Sequence, residues 1–210
     1  MLLYLRIGFG IQSCSSDDEE DSNALSTQEA QYIALGYLNL YDGVYILDLS
    51  YNDANKLGIS EPDYSKMIAE IEQVNSINKE LKKDPNIHLE LVDPSNIKLD
   101  YNISRLKNSS ESDSDSERPK GSLSVLDYER STTITLPDNV NSIKFKGVTT
   151  CLISTFSIRI KCNGTTYSNS ITSLPYIGGT CTFNNLPKGG KCEILYRTLC
   201  SAGGTLHYYY

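Results

Sequence analysis

Five clusters of turn-forming residues cut the last stretch of the chain, 121–210, into short pieces: Pro137-Asp138-Asn139, Asn163-Gly164, Gly178-Gly179, Pro187-Lys188-Gly189-Gly190 and Gly203-Gly204. Each cluster supplies a preset or positive φ that other residues resist. The runs between them are short and rich in β-branched and aromatic side chains. Leu123–Tyr128, Thr132–Leu136, Ser142–Lys146, Leu152–Lys161, Thr180–Asn184, Lys191–Leu199 and Thr205–Tyr210 are the candidate strands. About seven strands at this turn spacing predict an all-β antiparallel sandwich. The fourth run shows the required period of two. Leu152, Phe156, Ile158, Ile160 and Cys162 share one face, and Ser157, Arg159 and Lys161 share the other.

Within this stretch, Thr182-Phe183-Asn184-Asn185-Leu186-Pro187-Lys188-Gly189 resembles the F-x-N-L-P-x-G turn of prealbumin-like and carboxypeptidase-regulatory-like β-sandwiches. The resemblance implies that the Phe enters the core. It also implies that Pro-x-Gly turns the chain into a strand, here Cys192–Tyr196, that ends near a tyrosine. A shared fold does not supply a function.

Residues 26–103 read as a small helix-rich region. Ser26-Thr27-Gln28-Glu29 is a capping box ahead of a run with Tyr32, Leu35 and Leu38 at near-helical spacing. Val44-Tyr45-Ile46-Leu47 has strand composition. Ser50 with Asp53 opens a second short helix that Gly58 ends. Ser60-Glu61-Pro62-Asp63 opens a third, whose stripe of Tyr64, Met67, Ile68, Ile71, Val74, Ile77 (or Asn78) and Leu81 needs a packing partner. Residues 104–120 are Ser- and charge-rich and carry almost nothing to bury, so they read as a disordered linker. The expected fold class is therefore α+β: a helix-rich region, a flexible linker and a β-sandwich over 121–210.

The chain opens with an apolar stretch, MLLYLRIGFGIQS over residues 1–13, followed by Cys14 and the acidic run Ser15-Ser16-Asp17-Asp18-Glu19-Glu20-Asp21. An apolar run, a small residue and then Cys resembles a bacterial lipoprotein signal. The acidic run resembles the tether of surface-exposed lipoproteins of the Bacteroidetes. That resemblance implies removal of residues 1–13 as a signal peptide and lipid attachment at Cys14. It implies a tether over 14–25 and anchorage in the outer membrane facing outward. Multiple acyl chains, at ~0.8 kcal/mol per buried CH₂, hold a protein firmly.

Six cysteines are present: Cys14, Cys151, Cys162, Cys181, Cys192 and Cys200. Lipidation of Cys14 leaves an odd number, all in the candidate sandwich. Strand parity turns Cys162, Cys181, Cys192 and Cys200 inward, as small buried hydrophobes or as one or two disulfides whose pairing the sequence leaves open. No C-x₂₋₄-C pair occurs, and His88 and His207 are the only histidines, so no metal site is expected. Asp113, Asp115 and Glu117 alternate like a calcium loop. However, Arg118 stands where that loop needs glycine, and Ser124 where it needs Glu.

Charge is divided along the chain. Residues 121–210 carry 8 basic and 4 acidic side chains, whereas 1–120 carry 11 basic and 22 acidic ones. The total of −7 argues against a nucleic-acid partner. No Walker loop, nucleophile elbow, H-E-x-x-H or G-x-G-x-x-G appears, so neither a cofactor nor a recognised catalytic constellation is expected. The aromatic ending Tyr208-Tyr209-Tyr210 is either a closing strand or an exposed platform for a glycan or peptide. Three function classes follow in order. The first is a non-catalytic surface module binding a glycan, peptide or partner protein. The second is an assembly subunit of a surface complex, and the third an exported enzyme with an unrecognised carboxylate site.

Overall fold

The computed structural model describes residues 25–96, 118–199 and 203–210. Residues 1–13, expected as a signal peptide, lie outside these residues, as do Cys14, almost all of the expected tether, 104–117 of the expected linker and Cys200.

Three helices are set by one local device. Helices α1 (Thr27–Leu35), α2 (Tyr51–Lys56) and α3 (Glu61–Leu81) are preceded by Ser26, Ser50 and Ser60. Each serine hydroxyl accepts from the backbone N–H three residues on, in Glu29, Asp53 and Asp63. Such caps contribute about 1 kcal/mol each, and the first-turn carboxylates suit the positive helix end. The α3 stripe buries Met67, Ile71 and Val74, and then continues at Asn78. The helical spacing read through Leu38 stops at Leu35. Strand β1 (Leu38–Tyr41) instead pairs with β2 (Val44–Leu47) across Asp42 and Gly43, both at positive φ. Two successive positive-φ residues are what a tight hairpin turn requires.

Strand β3 (His88–Glu90) then leaves this region and joins the sandwich, pairing in parallel with the middle of β8 (Thr165–Ser173). The remaining strands are β4 (Gly121–Val125), β5 (Arg130–Thr135), β6 (Ile143–Thr149), β7 (Ser154–Cys162), β9 (Gly179–Phe183), β10 (Lys191–Thr198) and β11 (Gly204–Tyr209). One sheet has the order β3-β8-β7-β10-β5, the other β4-β11-β6-β9. Every pair formed between strands of 121–210 is antiparallel. The protein is α+β, with a β-sandwich in its C-terminal part. That part has eight strands rather than about seven. The additional one, β8, reads TTYSNSITS, too polar to stand out, and pairs with β7 through the Asn163-Gly164 turn.

Two cores result. Between the sheets lie Phe145, Phe156, Ile158, Ile160, Ile171, Phe183, Ile194 and Leu206. The Phe156 ring rests on Gly147 and Gly204, where a β-carbon would stand 2.8 Å from it. The turn motif behaves as the resemblance implied: Phe183 and Leu186 are buried, and the chain turns at Gly189 (φ 63°) into β10, where Tyr196 is buried. The second core joins Ala30, Ala34, Leu38, Tyr45, Met67 and Val74 to Leu152, Ile153 and Leu174 of the sandwich. Leu152 precedes β7, which frees it from the strand's alternation and lets it face the helices.

The sequence reads the helix-rich region and the sandwich as separate stretches; the structure joins them through this second core and through polar contacts. Thr155 and Thr172 are fully buried on the helix-facing side of the first sheet. Thr155 Oγ1 donates to Asn78 Oδ1 at 3.2 Å, and Thr172 Oγ1 meets Tyr45 Oη at 2.8 Å. Gln31 Nε2 donates to the Thr150 carbonyl at 3.1 Å. Partnering of this kind offsets the cost of burying polar groups.

Candidate ligand-binding face

The inward positions of the second sheet are taken by Leu123, Val125, Ile143, Phe145, Cys181, Phe183, Leu206 and Tyr208. Alternation therefore sends the intervening residues outward. Register arranges them in two cross-strand rows. Tyr209 on β11 stands opposite Lys144 on β6, and Lys144 opposite Thr182 on β9. In the adjacent row Ser122, His207, Lys146 and Thr180 follow one another across all four strands. The Lys144 ammonium lies 5.8 Å from the Tyr209 ring centroid, within cation–π range. Ser122 Oγ and His207 Nδ1 are 2.7 Å apart. Val148, Thr205 and Ser124 complete the outward set. It holds two lysines, a histidine, a tyrosine and several hydroxyls, and none of its residues is a carboxylate.

At the β9 edge this face runs into a groove of about 460 Å³. The groove forms because β3 covers β8 only from Asn169 to Ile171, leaving the earlier part of β8 open beside β9. Tyr167, Asn169, His88, Thr182 and Asn184 line it, so Thr182 belongs to both the row and the groove. Asn169 Nδ2 donates to the Thr182 carbonyl at 3.4 Å, and Tyr167 Oη to that of Asn185 at 3.5 Å. His88 pairs with Glu90 at 2.7 Å. A second hollow, about 630 Å³, separates α3 from the end of β10 and mixes Glu80, Asp84 and Asp127 with Arg197.

The aromatic ending is divided by alternation. Tyr208 packs on Phe145 with ring centroids 6.4 Å apart, and Tyr210 stacks on Tyr208 at 6.2 Å. Both turn toward the core, and only Tyr209 joins the outward face. A three-tyrosine platform is therefore not formed. The cysteines do different things as well. Cys162 and Cys192 face each other across β7 and β10, Cα atoms 4.5 Å apart, and form a disulfide. Cys151 and Cys181 are buried free thiols. Burial, reinforced by Glu70, pushes the Cys151 thiol up to about 11, and burial pushes Cys181 up to about 12. The Glu70 carboxylate is itself raised by burial, although it accepts from the Leu152 N–H at 2.9 Å.

Lys144, Lys146, His207 and Thr182 went unread as site residues in the sequence. Their signal was there in part: Lys144-Phe145-Lys146 alternates as β11 does in His207-Tyr208-Tyr209. Only the register shows that the outward members coincide.

No family model and no curated protein matches the chain. Among solved structures, the chain is similar to TmCBM61 in complex with β-1,4-galactotriose. The two are 17% identical, with a TM-score of 0.29, over 42% of this chain and 62% of that one. The match thus spans less than two thirds of that chain's length. At this TM-score the likeness says nothing about a ligand, and the binding surface has to be read from the residues themselves.

Proposed function

We propose that this protein is a non-catalytic glycan-binding module displayed at the cell surface. The observation that carries the reading is the row Tyr209–Lys144–Thr182, which leads from an outward aromatic ring to a polar groove. A sugar ring has an apolar C–H face that stacks on tyrosine and a rim of hydroxyls. Those hydroxyls exchange hydrogen bonds with ammonium, hydroxyl and amide groups. All of these occur along the row, and Asn169 and Asn184 supply the amides in the groove. Attachment through a lipid on Cys14 is supported by the Ile11-Gln12-Ser13-Cys14 sequence and the acidic run after it.

The test uses the full chain carrying Cys14→Ala, screened against a glycan array and followed by titration calorimetry. A glycan ligand whose affinity falls at least ~10-fold in Tyr209→Ala, equivalent to about 1.4 kcal/mol, is the expected result. Absence of any glycan ligand, or equal binding by Tyr209→Ala, overturns the proposal. Intact mass and membrane fractionation of the native protein test the anchor. The expected finding is an acylated chain beginning at Cys14, lost in Cys14→Ala.

A second reading, an assembly subunit, has one observation in its favour. The outer side of the β1–β2 hairpin exposes Tyr41, Val44 and Ile46 together. Adjacent exposed apolar side chains mark protein contacts more often than chance. Co-purification of a stoichiometric protein partner, lost in Tyr41→Ser/Val44→Ser, would favour it.

A further inference from the structure

The candidate ligand-binding face is longer than a single sugar ring. Tyr209, Lys144 and Thr182 stand on three successive strands, so their row covers two strand spacings, about 10 Å. From Thr182 the groove continues to Asn184, two residues on and about 7 Å further in extended backbone. The opposite wall comes from β8 and advances in step: Asn169 reaches the Thr182 carbonyl, and Tyr167 the Asn185 carbonyl. A second tyrosine thus stands beyond the row. Tyr167 is half-buried, packing on the sandwich core while lining the groove, and the exposed Thr166 and Asn184 line it as well. At about 460 Å³ the groove alone is within the range of small-molecule pockets. One sugar ring would leave most of the path from Tyr209 to Tyr167 uncovered.

We infer that the ligand is an extended oligosaccharide of three or more linked sugars. It lies across β11, β6 and β9, with one ring on Tyr209 and a later ring on Tyr167. Hydroxyls in between meet Thr182, Asn184 and Thr166. The inference rests on the glycan reading and adds the size and shape of the ligand. Linkage favours such a path because the loss of rigid-body freedom falls on the first ring alone. Each further ring then binds at the high effective concentration that its linkage sets. Strand register holds Tyr209 and Thr182 in a fixed relation, so a stretched chain meets both without ordering a loop first.

The experiment uses the full chain with Cys14→Ala and calorimetry against linear oligosaccharides of one to six sugars prepared from cellulose, xylan, mannan and amylose. In a series that binds, affinity is expected to rise at least ~10-fold between two and four sugars and then to level off. Thr166→Ala/Asn184→Ala changes two exposed groove positions and should leave the urea midpoint unchanged. It should lower tetrasaccharide affinity at least ~5-fold while holding disaccharide affinity within about twofold. Affinity that does not depend on length overturns the inference but leaves the glycan reading standing. So does a length dependence that survives Thr166→Ala/Asn184→Ala, or an equal loss for short and long chains, which would confine the ligand to the groove. A ligand found on the array only as a branched glycan or a short terminal sugar, with no linear chain bound, likewise overturns the inference alone. Binding of no glycan in either the panel or the array overturns both.

Discussion

The Tyr45 hydroxyl and the Thr172 hydroxyl lie 2.8 Å apart, at the point where the N-terminal hairpin meets the sandwich. Tyr45 Oη also donates to the Val92 carbonyl at 2.8 Å, and Thr172 Oγ1 accepts from the Val92 N–H at 2.8 Å. One tyrosine thus ties together β2, the segment after β3, and β8.

Tyr45→Phe removes this hub and takes the hydroxyl donor from the Val92 carbonyl, while Thr172 Oγ1 keeps the Val92 N–H and the Glu90 carbonyl. A loss of about 1–3 kcal/mol is expected in urea unfolding. A double-mutant cycle with Thr172→Val should show a coupling of at least ~0.5 kcal/mol between the two sites.

Titration of the same tyrosine gives a pH prediction. Burial raises the Tyr45 phenol to about 12, from an ordinary value of 10.0. The folded state therefore holds this proton more tightly than the unfolded chain does. Its contribution is fully present below pH 10 and is lost as pH rises toward 12. Unfolding monitored by circular dichroism should become easier across that window in the wild type, and less so in Tyr45→Phe.

Removing the disulfide should cost stability through the unfolded state. Cys162 and Cys192 are 30 residues apart in sequence. Freeing a loop of this length corresponds to about 3–4 kcal/mol in the chain-entropy account. Comparison of the wild type with Cys162→Ala/Cys192→Ala by denaturant titration checks the figure, and peptide mapping under non-reducing conditions checks the pairing.

The two buried free thiols should be slow to alkylate. With Cys151 raised to about 11 and Cys181 to about 12, little thiolate forms in the folded protein at pH 8. Iodoacetamide labelling followed by peptide mapping should find both nearly unmodified in the native protein and readily modified in urea. Rapid native labelling of either would contradict the packing described above.

Gly204→Ala probes the sandwich core. The new methyl would stand 2.5 Å from the Val148 carbonyl oxygen and 2.8 Å from the Phe156 ring, so both the strand and the ring must move. Overpacking of this kind costs about 1–3 kcal/mol. Phe156→Leu, destabilising alone, should recover part of the Gly204→Ala loss when the two are combined.

How far the fold was legible depended on how local each signal was. The caps at Ser26, Ser50 and Ser60 act over three residues and were read directly. So were the turns at Asn163-Gly164 and Pro187–Gly190, which depend on their own backbone angles. Strand β8 escaped because its buried Ser170 and Thr172 present hydroxyls to the helical layer rather than apolar surface to it. Strand β3 escaped because its partner, β8, lies some eighty residues further along the chain. The site was legible only in part for the same reason. Tyr209 was named with its neighbours, but the coincidence of Lys144, Lys146 and His207 with it follows from a register between distant strands.

The sharing of Leu152, Ile153 and Leu174 with the helical core bears on how this protein can be passed around. Those side chains are covalently part of one half and packed into the other. A gene segment encoding the sandwich alone would carry them bare, along with the hydroxyls of Thr155 and Thr172. Fusion, shuffling or grafting should succeed only when both halves travel together, as one inherited piece.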